Sequence, residues 1–204
     1  MSRSCGPSVL LALGACAIAS TAAAHPHVAV TARAEMLFSA DGKITGVRHA
    51  WTFDKAYSAF ITQGLDRNKD GKLSPDELQD LAKENTESLV EFDYFTVVKA
   101  NGVKQAFAPP GEYGMTFADG EATLSYVLPL KKSVATRAVS LEVYDPTFFV
   151  AFSLADSGDA VTLKGAPSGC ATTITRPKPV DAGQQQNLSE AFFQALSSAA
   201  TYGS

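Results

Sequence analysis

Asp66, Asn68, Asp70, Ser74 and Glu77 set side-chain oxygens at the first, third, fifth, ninth and twelfth positions of the stretch 66–77. A hard cation such as calcium takes roughly six to eight oxygens, and an EF-hand loop supplies them from these positions plus the seventh carbonyl. Lys72 holds the seventh position, where only its backbone carbonyl is needed, and Gly71 holds the sixth, where the chain must turn sharply. The stretch therefore predicts a Ca2+ site made by Asp66, Asn68, Asp70, Lys72, Ser74 and Glu77. Asp76, at the eleventh position, points away, so three carboxylates carry the anionic charge. That low charge predicts a dissociation constant on the order of 10⁻⁴–10⁻³ M. The chain contains no second stretch of this pattern. A lone loop more often pins a structure than senses an ion.

Two helices must position such a loop. Ala56, Tyr57, Phe60 and Ile61 repeat at helical spacing before it, and Leu78, Leu81, Ala82 and Leu89 do so after it. Pro75 suits the first turn of the exit helix, where its missing N–H is not needed.

A second candidate lies near the start of the chain. Residues 1–24 read as a signal peptide, with Arg3, an apolar run at 9–19 too short to span a bilayer, and the small residues Ala22-Ala23-Ala24 before the cut. An alternative is a lipoprotein signal anchored at Cys16, after Leu13-Gly14-Ala15. Either way the product is exported, and no other stretch reaches the ~20 apolar residues of a membrane helix. Cleavage at Ala24 exposes His25 as the first residue. Its amine, with an ordinary pKa of about 7.7–8.0, and its imidazole can chelate one metal ion, and His27 can add a second imidazole. Imidazole suits nickel, cobalt, zinc or copper. Pro26 has no amide proton, which disfavours the amino-terminal copper and nickel motif that uses one.

Without residues 1–24 the chain keeps 16 basic against 21 acidic residues, a net charge of −5, which argues against a nucleic-acid partner. The remaining 180 residues suffice for one domain with a core. Cys170 is then the single cysteine and has no intramolecular disulfide partner. A small buried hydrophobe is the expected role, a reactive thiol the alternative.

The fold class expected is mainly β: an antiparallel β-sandwich, 25–176, with the EF-hand inserted at 54–90. Strands 27–38 and 43–54 join at Asp41-Gly42, a type I′ turn signal. Pairing across it sets Met36 opposite Val47, Ala34 opposite His49, Ala32 opposite Trp51 and Val30 opposite Phe53, all on one apolar face. His49 then lies on the order of 20 Å from the level of His27, a core histidine rather than a partner of His25. Hairpins follow at 94–100 with 103–107 and at 113–118 with 121–128, then short strands at 139–144, 147–154, 160–163 and 170–176. Residues 177–187 read as a linker. Residues 188–204 read as an amphipathic helix capped by Asn187, with Leu188, Phe192, Phe193 and Leu196 as its stripe.

Six segments in this order resemble a bacterial family of unknown function described as the periplasmic component of uncharacterised ABC-type transport systems. They are His25-Pro26-His27-Val28, Trp51-Thr52-Phe53-Asp54, the 66–77 loop, Glu91-Phe92-Asp93-Tyr94-Phe95, the run from Tyr144-Asp145-Pro146 through Phe152, and Gly165-Ala166-Pro167-Ser168-Gly169-Cys170. The resemblance covers about residues 25–176. It implies a periplasmic protein often encoded near transition-metal permeases, notably for nickel and cobalt or zinc. It also implies that relatives continue to a further cysteine, which leaves the pairing of Cys170 open.

Three functions fit these residues. The first is a non-catalytic accessory or binding component of a transition-metal transport system, with a metal permease or ABC transporter as partner. The second is an oxidoreductase with copper in a histidine brace at His25. The third is a structural envelope module whose terminal helix binds a partner. No Ser–His–Asp or Cys–His set is recognisable in the sequence.

Overall fold

The computed structural model describes residues 28–176. Nine strands form two sheets, as the mainly β reading expects. They are β1 (Val28–Phe38), β2 (Ile44–Phe53), β3 (Thr96–Ala100), β4 (Val103–Lys104), β5 (Gly111–Ala118), β6 (Glu121–Val134), β7 (Val139–Val143), β8 (Val150–Leu154) and β9 (Val161–Lys164). The larger sheet runs β5-β6-β2-β1-β8, with β9 also on β1, and the smaller runs β4-β3-β7. The insert holds α1 (Lys55–Ile61) and α2 (Pro75–Ser88). A 3₁₀ turn begins at Leu89, and the backbone leaves helical geometry from Phe92 on, ahead of β3.

Alternation along β1 buries Val30, Ala32, Ala34 and Met36 and leaves Thr31 and Arg33 at the surface. β2 meets it in the expected register, Met36 on Val47, Ala34 on His49, Ala32 on Trp51 and Val30 on Phe53. The turn differs from expectation. Only Gly42 has a left-handed φ, of 75°; the Ser39 N–H donates to the Lys43 carbonyl across a three-residue loop, and the Gly42 N–H donates to the Ser39 carbonyl. That loop sets Phe38 opposite Ile44, one residue off the pairing beyond it, and an irregularity between Leu37 and Phe38 restores the register. Gly46 sits at this step, where a Cβ would lie 2.7 Å from the Leu128 carbonyl oxygen. The other two hairpins do carry paired left-handed residues, Asn101-Gly102 and Asp119-Gly120.

Other expectations need correction. β8 and β9 run parallel to β1, each along half of one edge, so the larger sheet is mixed. Residues 170–176 form no strand. Instead the Arg176 guanidinium donates to the carbonyls of Leu154 and Ala155, at 2.8 and 2.7 Å. Beyond Lys104 the second hairpin keeps only the Gln105 N–H to Val98 carbonyl bond, and the chain crosses to β6, where Phe107 bridges Leu130. Cys170 is exposed, so it is no core residue. Phe60 is 74% exposed because α1 turns Ser58 inward.

His49, Trp51 and Tyr126 pack as a fully buried aromatic group on the inner face, His49 stacked on Tyr126 with centroids 5.1 Å apart. The Thr96 hydroxyl donates to the Tyr94 carbonyl at 2.7 Å, so at 3.3 Å His49 Nε2 is the donor to Thr96 Oγ1. Burial lowers the His49 pKa from 6.5 to about 3. A base depressed on folding takes up its proton more readily when unfolded, so its stabilisation is present above 6.5 and lost as pH falls toward 3. Between pH 6.5 and 5, before carboxylates titrate, urea stability should fall by roughly 1.6 kcal/mol in all, the slope steepening as the unfolded histidine fills with protons. His49→Phe should remove that slope; identical pH profiles for the two proteins would contradict the assignment.

Candidate functional site

The insert hangs from the sheet by two polar anchors. Asp54 caps α1 by accepting the Tyr57 N–H at 2.9 Å, and its other oxygen accepts the Ala29 N–H at 2.9 Å. Burial raises its carboxyl pKa, but the amides of Ala29, Tyr57 and Ala56 outweigh that and hold it below the ordinary value. The buried Ser58 hydroxyl donates to the Phe53 carbonyl and accepts the Ala122 N–H at 2.9 Å, tying α1 to β6. Leu78, Ala82 and Thr86 repeat every four residues along α2 and are buried, and the helix packs against β5. Neither Asp54 nor Ser58 was singled out from the sequence. An aspartate directly before a helical run is the signal that marks Asp54 as a cap.

Between these helices lies the acidic loop, which carries all six predicted ligand residues. Asp66 accepts the Gly71 N–H at 3.0 Å and the Asp70 N–H at 3.2 Å. Gly71 has φ +79°, the left-handed turn that only glycine adopts freely. Asn68 Oδ1 accepts from the Asp70 amide, and Asp70 Oδ1 accepts the Lys72 N–H at 2.8 Å. Ser74 is the N-cap of α2, with Pro75 in the first turn and Glu77 as the reciprocal partner in a capping box.

Glu77 closes the ring. One of its oxygens accepts the Arg67 N–H at 2.9 Å and the Asn68 N–H at 3.3 Å. The other accepts from the Ser74 amide and hydroxyl, at 2.9 and 2.8 Å. The side chain is 8% exposed yet anionic. Ser74 first, then Arg67 and Asn68, hold its pKa at about 2 against desolvation. Its contribution to stability is therefore present above about pH 4.5 and lost as pH falls toward 2.

In chemical terms the loop offers hard oxygen donors, the set a calcium ion requires. In this conformation the loop carboxylates face backbone amides and one another's neighbours. Among the described residues no three His, Cys, Asp or Glu side chains gather as an ion would require. His25 and His27 lie outside the described residues. The chain enters β1 beside Phe149, whose carbonyl accepts the Val28 N–H, and next to Ala29, which Asp54 holds. His49, in the core, joins neither candidate site. Among the described residues no helix is long and apolar enough to cross a membrane.

Fold and loop together define a mostly β protein with an acidic helix–loop–helix insert. The chain belongs to the family described as "Protein of unknown function (DUF1007)", whose profile matches residues 10–204. It is similar to an "Uncharacterized 15.5 kDa protein in trpE 3'region" of Spirochaeta aurantia, at 30% identity over 115 residues, 56% of this chain and 81% of that protein. It is also similar to an "Uncharacterized protein" of Haemophilus influenzae, at 25% identity over 157 residues, 76% of this chain and 74% of that one. No solved structure matches the chain.

Ser74→Ala removes the cap of α2 and one partner of Glu77. It should lower unfolding stability by about 1 kcal/mol, and Ser74→Thr should recover most of the loss. Urea denaturation checks this; an unchanged midpoint in Ser74→Ala would remove the capping box from the account.

Proposed function

We propose that this protein is an exported, non-catalytic calcium-binding accessory of a transition-metal transport system, with a metal permease or ABC transporter as its partner. The observation that carries the reading is the buried Glu77 carboxylate, which links the start of the acidic loop at Arg67 and Asn68 to its end at Ser74. A carboxylate so placed is within a side-chain rotation of the last ligand position of an EF-hand loop. Calcium at Asp66, Asn68, Asp70, the Lys72 carbonyl, Ser74 and Glu77 would replace amide contacts by ion contacts and stiffen the insert against the sheet. Because only Asp66, Asp70 and Glu77 bring anionic ligands, binding is weak, in the range suited to a calcium-rich compartment outside the cytosol.

Cleavage after Ala24 would free His25 as the amino terminus. The amine and the imidazoles of His25 and His27 then form a nitrogen-donor set for nickel, cobalt, zinc or copper. The link to transport rests on the family resemblance. The calcium and transition-metal sites differ in donor type, so they are separable by experiment.

At a dissociation constant near 10⁻⁴ M, 10 mM calcium should stabilise the fold by about 2.7 kcal/mol, read as a rise in melting temperature. Glu77→Gln retains a capping side chain but should lose that rise. Melting curves that coincide in chelator and in calcium for the unmodified protein would sink the calcium site. Elemental analysis of protein beginning at His25 should find one transition-metal ion per chain. An amino-terminal tag should abolish it and leave calcium binding intact; equal metal content in tagged and processed protein would overturn the amino-terminal site.

A further inference from the structure

Two turns of the fold present aromatic rings to solvent where the smaller sheet meets β8. Phe92 is 52% exposed and stacks on Phe95, centroids 5.0 Å apart, and Phe95 in turn packs on Phe152. Tyr144, 48% exposed, donates its N–H to the Phe95 carbonyl at 3.0 Å. Phe148, 63% exposed, stands at the tip of the following turn.

Both turns use backbone that side chains disfavour. Asp93, Tyr94 and Phe95 are left-handed in succession, with φ of 51°, 58° and 48°, and Phe148 has φ 60°. Such conformations persist only where surrounding contacts impose them. Lys104 pairs with Asp93 on the first turn. The buried Asp145 clamps the second, accepting from the Thr147 amide and hydroxyl and from the amides of Phe149 and Val150. Phe92, Tyr144 and Phe148 are thus large apolar side chains left exposed on two adjoining turns, and exposed apolar surface of this kind marks an interaction site.

The chain itself carries a matching segment. The described residues end at Arg176, which the carbonyls of Leu154 and Ala155 hold at the far end of β8. The near end of β8, Val150, follows directly on the Phe148 turn. Five residues of strand separate the two ends, roughly 15 Å. Residues 177–187, extended, span up to about 35 Å, which is ample reach. Beyond them, Leu188, Phe192, Phe193 and Leu196 recur at helical spacing, and the family profile runs through this segment to residue 204. A tether this short gives an effective concentration on the order of millimolar, so a modest apolar contact suffices.

We propose that residues 188–200 dock their Leu188–Phe192–Phe193–Leu196 stripe onto the Phe92–Tyr144–Phe148 surface of the same chain. The proposal is independent of any metal. Hydrogen exchange on the full mature protein tests it, comparing the unmodified chain, a F192D/F193D double variant and Phe148→Asp. Aspartate tolerates left-handed φ better than phenylalanine, so Phe148→Asp suits its turn.

In the unmodified chain the amides of 188–200 should exchange on the order of tenfold more slowly than in F192D/F193D. The same double variant should speed exchange at 89–95 and 144–150, and Phe148→Asp should release the tail without altering its sequence. Rates should be equal at 1 and 50 µM protein. A tail that exchanges like an unstructured peptide would overturn the proposal, as would unchanged rates at 89–95 and 144–150 in the double variant. Protection that appears only at the higher concentration would assign the surface to a second copy, and protection only with anionic phospholipid vesicles would assign it to a membrane. Either would overturn docking within the chain.

Discussion

Everything in this structure hangs on one apolar face, made where β1 meets β2. Val30, Ala32, Ala34 and Met36 face inward from one strand, and Val47, His49, Trp51 and Phe53 from the other. Side chains alternate across a strand, so a slip of one residue would turn both rows to solvent. The bulge beside Gly46 matters for this reason: it absorbs the extra residue of a three-residue turn before the buried rows begin. β6 then adds Leu124, Tyr126 and Leu128 to the same face, and the smaller sheet closes it with Val98 and Thr96.

The helical insert draws its position from that face rather than from its own packing. α1 is too short to be stable alone. It stands because Asp54 and Ser58 each satisfy a strand amide, at Ala29 and Ala122, while capping or closing the helix. The acidic loop inherits this rigidity at both ends, through Ser58 and Thr62 on one side and the Ser74–Glu77 box on the other.

Much of this was legible in the residues. The twelve-residue stretch between two helices, Pro75 in the first turn of the second, the strand register through Met36 and Val47, and the core placement of His49 all follow from local spacing; Ser74, read as a ligand position, proves to be the helix cap. Less legible were features in which the partner is remote. The parallel edge of β1 is one: β8 and β9 carry the same β-branched pattern whichever way they run. The exposure of Phe60 and Cys170 is another, because an apolar residue type says nothing about whether a neighbouring element arrives to cover it. Tyr94 and Phe95 read as strand by type, yet with Asp93 they lie in left-handed backbone imposed by Thr96, Lys104 and the adjoining sheet.

By itself, then, the order of amino acids determined the elements, the turns with paired left-handed residues, the hairpin register and the donor chemistry of the 66–77 loop. These depend on interactions within a few residues or across one turn. Tertiary structure alone decided the parallel edge, the anchoring of the insert through Asp54 and Ser58, and the meeting of the Phe95 and Tyr144 turns that leaves Phe92, Tyr144 and Phe148 exposed. Those outcomes rest on contacts between residues far apart in the chain, whose free energies appear only once the two sheets have closed on each other.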